Sequence, residues 1–99
     1  MKNLEEIDHI ALEVRNIADA VKWYTDQFSC EIIYQDETWA MLGFENINLA
    51  FVLPNLHPTH IAINKVDAEK FGPLKLHRDG VKFIYIEDNQ GNTVEIIKK

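Results

Sequence analysis

The sequence predicts an α+β fold built from two degenerate βαβββ modules, the second shortened. Three observations carry this reading. Apolar residues alternate over several short runs, as strands with one buried face require. A single stretch of full helical length shows apolar spacings of three and four. The triplet His-Ile-Ala occurs at positions 9 and 60 and opens both halves, so the chain contains an internal duplication. The 99 residues make one domain, 1–99, with internal modules at approximately 1–54 and 58–99.

The first strand is expected over Ile7 to Val14. Ile10, Leu12 and Val14 share one face, and His9, Ala11 and Glu13 take the other. Asn16 then stands as a helix cap with Asp19 three residues on, a variant of the capping box. Ile17, Val21, Tyr24 and Phe28 form one buried helical stripe. Trp23 adjoins Tyr24 and so points elsewhere, toward an edge or a subunit contact. Strands follow at Glu31 to Gln35, Trp39 to Phe44 and Ile47 to Leu53, with turns at Asp36 to Thr38 and at Asn46. Pro54 to Pro58 is a rigid connector.

The second half repeats the order. Thr59 to Lys65 is a strand with His60, Ala62 and Asn64 on one face and Ile61 and Ile63 on the other. Val66 to Gly72 leaves room for one or two helical turns. Leu74 to His77 is a short strand, Asp79-Gly80 a turn, and Val81 to Glu87 a longer strand. Asp88 to Asn92 is a turn with side chains suited to unusual backbone angles. Thr93 to Ile97 closes the chain as a strand. The ends of the halves align as Glu45-Asn46-Ile47-Asn48-Leu49 against Gly91-Asn92-Thr93-Val94-Glu95.

Composition narrows the function. The chain is 46% hydrophobic and 26% charged, which supports a packed core. Its formal charge of −6 and pI of about 5.1 argue against nucleic-acid and anionic-membrane partners. Met1 to Asp8 carries acids, so neither a signal peptide nor a membrane anchor is expected there. Cys30 is the only cysteine; an intrachain disulfide is impossible, and a reducing, cytoplasmic setting fits. No Ser-His-Asp ordering, reactive cysteine motif or glycine-rich phosphate loop is present.

Four motifs in order carry a resemblance that covers nearly the whole chain. They are Asp8-His9-Ile10-Ala11, Asp19-Ala20-Val21-Lys22-Trp23-Tyr24, His60-Ile61-Ala62, and Phe83 through Ile96 with its Asp88-Asn89-Gln90-Gly91-Asn92 turn. The chain resembles the glyoxalase, bleomycin-resistance and extradiol-dioxygenase superfamily, the vicinal oxygen chelate family. Asn89 and Gln90 depart from the middle of that family's turn. The resemblance implies that the two modules form a curved mixed sheet around a metal and substrate cavity.

Carried over position by position, the resemblance implies first-strand metal ligands at His9 and His60 and last-strand positions at Leu49 and Glu95. Leu49 cannot bind a metal, so the four-ligand pattern of glyoxalase I is broken. His9, His60 and Glu95 remain, similar to the three-ligand pattern of the dioxygenases and fosfomycin-resistance transferases. Two imidazoles and a carboxylate suit one divalent ion, zinc, manganese, nickel or iron, with positions left open for water or substrate. Ala11, Ala62 and Thr93 share the ligands' faces and leave space beside them. The bland alternative is an edge histidine at position 9 and a solvated Glu95 on a terminal strand.

Trp39, Met41, Phe51 and Tyr85 are candidates for lining an apolar cavity; plain packing is their other role. His57 and His77 are expected at the surface and at a strand end. Glu13 is expected at the strand's wet end, with a general base as its other role, and Glu87 at a cavity rim. The leading function is a metal-dependent lyase, isomerase or related enzyme acting on a small oxygen-rich substrate, its catalytic residues unassigned. The fosfomycin reading is weaker, because those relatives use a threonine near the first histidine where Ala11 occupies the nearby same-face position, and no cation cluster awaits a phosphonate. The alternative class is a non-catalytic protein that binds or sequesters a small molecule. A homodimer is expected, because relatives often build the cavity by pairing modules between subunits.

Overall fold

The computed structural model describes residues 4–99. The first three residues of the acidic opening stretch lie outside the described residues. The chain is α+β, and its elements follow the predicted order. They are β1 (Glu6–Glu13), α1 (Ile17–Gln27), β2 (Glu31–Gln35), β3 (Trp39–Gly43), β4 (Asn48–Val52), β5 (His60–Asn64), a 3-10 helix (Ala68–Phe71), β6 (Lys75–Leu76), β7 (Lys82–Glu87) and β8 (Thr93–Lys98). No helix among the described residues is long and apolar enough to cross a membrane.

The fold divides into two compact units, one of residues 9–59, the other of 60–99 with residues 4–8. The division therefore falls inside β1 rather than ahead of it. Two ion pairs link these opening residues to the rest of their unit: Lys65 Nζ lies 2.6 Å from Glu5, and Lys99 pairs with Asp8.

In the 9–59 unit the strand order is β2-β3-β4-β1. The β2/β3 and β3/β4 pairs are antiparallel and the β4/β1 pair is parallel. Helix α1 starts as its sequence dictates: Asn16 is extended, and its side-chain oxygen accepts a hydrogen bond from the Asp19 N–H at 2.9 Å. Ile17 and Val21 are buried against Ala40, Leu42 and Phe51. Alternation sends Ala11, Ala50 and Val52 to the other face, where Trp39 and Met41 pack on them. Phe28 departs from the predicted stripe. The helix ends at Gln27, Phe28 is the extended C-cap, and its ring is half exposed beside Trp23 and Phe44.

The other unit repeats the topology in the order β5-β8-β7-β6, with β5 and β8 parallel and the remaining pairs antiparallel. Four residues of 3-10 helix stand where α1 stands in the first unit. This shorter cover leaves Ile61 partly exposed. The turn before β8 is closed by Asp88, whose Oδ1 accepts from the Gln90 N–H at 2.8 Å and the Asn92 N–H at 2.9 Å. Gly91 takes φ +85°, a left-handed conformation that favours glycine. Asn89 and Gln90 are tolerated there because Asp88, Gly91 and Asn92 do the closing.

Candidate metal centre

Parallel pairing of β5 with β8 sets Ala62 opposite Glu95, and antiparallel pairing with β7 sets Tyr85 opposite Glu95. His60 lies two residues before Ala62, hence on the same face. His60 and Glu95 are both buried, at 5% and 2% exposure. A carboxylate so enclosed requires polar or cationic partners, since desolvation alone penalises its charge heavily. Its two oxygens have different ones. Oε2 lies 2.7 Å from His77 Nε2, a tight hydrogen bond, whereas Oε1 lies 3.2 Å from His60 Nε2.

Aromatic rings frame this cluster. The His77 ring stacks on Phe83 with centroids 3.6 Å apart and planes 8° from parallel. Tyr85 meets the His60 ring edge-on at 5.2 Å and Phe83 at 5.5 Å. Burial, and then the negative charge of Glu95, push the Tyr85 phenol well above its ordinary value.

The donor set fits a divalent ion. Two donors each about 2.1 Å from one ion stand about 3.0 Å apart at a right angle and about 3.4 Å apart at a tetrahedral angle. The 3.2 Å separation of His60 Nε2 and Glu95 Oε1 falls between these values. Imidazole and carboxylate together suit zinc, manganese, nickel and ferrous iron.

The remaining sequence candidates lie as follows. His9 is half-buried on β1, in register with Asn48, in the 9–59 unit. Trp39 and Met41 lie on the sheet face of Ala11 and Ala50. Phe51 does not share that face. It is fully buried under α1 and packs against Tyr24 at 4.9 Å, because its neighbours Ala50 and Val52 occupy the opposite side. Glu13 and Glu87 are exposed, and His57 is half-buried in the connector.

The alignment of the two modules needs a correction of one residue. Ala11 pairs with Ala50, and Ala62 pairs with Glu95. The counterpart of Glu95 is therefore Ala50, not Leu49. A slip of one position changes the face, and Leu49 packs toward the α1 core. Alanine offers no ligand atom either. His77 was under-read: its place just after β6 marked a strand end, and only the fold joins it to Glu95 across 18 positions.

No family model and no curated protein matches the sequence. Solved structures do share its fold. A glyoxalase/bleomycin resistance protein/dioxygenase superfamily member from Vibrio splendidus 12B01 is 11% identical with a TM-score of 0.75, over 97% of this chain and 100% of that one. A hypothetical protein from Bacillus halodurans C-125 is 15% identical with a TM-score of 0.79, over 98% of this chain and 96% of that one. A 2,3-dioxygenase from Pseudomonas sp. KL28 is 18% identical with a TM-score of 0.64, over 95% of this chain and 42% of that one. The chain thus has the glyoxalase-like fold.

Proposed function

We propose that this chain is a metal-dependent lyase, isomerase or related enzyme acting on a small, oxygen-rich substrate, and that His9, His60 and Glu95 hold one divalent ion. The observation that carries the reading is the buried His60–Glu95 pair, spaced at 3.2 Å. His9 enters by the duplication, as the β1 counterpart of His60: each is paired two residues before the Ala11/Ala50 and Ala62/Glu95 positions. The ion, zinc, manganese, nickel or ferrous iron, would polarise a carbonyl or take up two neighbouring substrate oxygens. The working form in this reading is a cytoplasmic homodimer.

A second reading is favoured by one observation. Trp39 and Met41 are only half-buried where they pack on the buried Ala11, Ala50 and Val52, which leaves two apolar side chains for contact with a flat ligand. In that reading the protein binds or sequesters a small molecule without turnover.

Metal content and affinity decide between them. Tag-free protein is compared with His60→Ala, Glu95→Ala and Glu95→Gln under zinc, manganese, nickel and iron challenge. The expected result is close to one ion per chain, lost in His60→Ala and Glu95→Ala while circular dichroism shows the fold intact. A folded native chain that takes up none of the four ions overturns the metal reading and leaves the binding one.

A further inference from the structure

We infer that His77 is a positioning residue for Glu95: it fixes the carboxylate so that one oxygen, Oε1, is presented beside His60 for a metal ion. The inference rests on the metal reading above but concerns a residue which that reading does not use. Metal ligation takes Glu95 as the ionised carboxylate, which only accepts, and in that form His77 Nε2 is the donor to Oε2 across the 2.7 Å contact. A carboxylate with one oxygen tied cannot rotate about its terminal torsion without breaking that bond. The free choice between one-oxygen and two-oxygen ligation is thereby reduced to the one oxygen near His60.

His77 is itself held in place. Its N–H donates to the Val81 carbonyl at 2.9 Å, and its carbonyl accepts from the Gly80 N–H at 2.9 Å. Asp79 Oδ1 accepts from the Val81 N–H at 3.0 Å, and Gly80 takes φ +90°. The parallel stack on Phe83 fixes the ring plane. The Asp79-Gly80 turn, the His77 ring and the Glu95 carboxylate form one chain of restraints, running from a surface turn to a buried donor. The His77 side chain remains about one-third exposed, at 31%, against 3% for Glu95, so it is the outer member of the pair. Supports of this kind change metal affinity by roughly 10- to 100-fold when removed.

The test is metal affinity in His77→Ala and His77→Gln, measured by competition with a chromogenic chelator. The probe is whichever of Zn²⁺, Mn²⁺, Ni²⁺ and Fe²⁺ the native chain binds most tightly. His77→Ala is expected to keep its stoichiometry and to bind about 10- to 100-fold more weakly. His77→Gln, whose amide nitrogen reaches the same place as Nε2, is expected to recover most of the loss. Thermal unfolding of both variants is followed in parallel; a merely structural role lowers stability and leaves affinity unchanged. Unchanged affinity in His77→Ala overturns the positioning role alone. Complete loss of the ion in both His77 variants makes His77 a direct ligand and overturns it too. A native chain that binds no ion overturns the metal reading, and the positioning role with it.

Discussion

Glu95 concentrates the chemistry at the residue scale: at 2% exposure its two oxygens meet two different histidines, His77 and His60. The sequence placed it on a strand and, through the resemblance, among the metal ligands. It did not disclose His77, because periodicity assigns residues to faces and says nothing of which distant side chain arrives at which atom. A second carboxylate shows the same economy in the open. Asp88 is held below its ordinary value, first by the Asn92 side-chain amide, then by the Asn92 and Gln90 N–H groups. A depressed carboxylate contributes stability above its unfolded pKa, and that contribution is lost as the pH falls through the lower folded value. Asn92→Ala is expected to raise the Asp88 pKa toward its ordinary 3.8. An NMR titration of the Asp88 carboxyl checks this, and an unmoved midpoint counts against the turn as the cause.

At the scale of elements, α1 was the most legible piece. Its cap, its acidic first turn and its Ile17/Val21 stripe all stand in the sequence and recur in the fold. Asn16→Ala removes the acceptor for the Asp19 N–H and is expected to cost about 1 kcal/mol. Urea unfolding measures it, with the slope of the transition unchanged. Phe28 was misjudged because spacing alone cannot tell the last helical residue from the cap that leaves the axis. The Leu49 assignment failed for a related reason. Aligning Glu45–Leu49 with Gly91–Glu95 by sequence fixes the ends of the strands to within a residue, yet in a strand one residue decides the face. Hydrogen-bonded register, in which Ala11 meets Ala50 and Ala62 meets Glu95, decides it instead.

At the scale of the molecule the duplication was readable, since two His-Ile-Ala triplets and one strand order per half are patterns a chain carries openly. Its association state is a matter of what the fold leaves uncovered. In the 9–59 unit, β2 stands at the end of the strand order. An end strand presents unpaired backbone groups, and natural proteins commonly protect such an edge with charge, proline or a covering segment. Here Ile32 and Ile33 are 52% and 56% exposed, and Trp23 on α1 is 54% exposed. Apolar side chains beside an end strand are a surface that association would cover, and a second copy of the chain is the partner the homodimer reading supplies. Light scattering is therefore expected to give twice the 11.5 kDa chain mass. Ile32→Lys adds a charge to the edge and is expected to shift the population toward the single chain without unfolding it. A native mass of one chain across the accessible concentration range would sink the dimer, and with it any dependence of the site on a partner subunit.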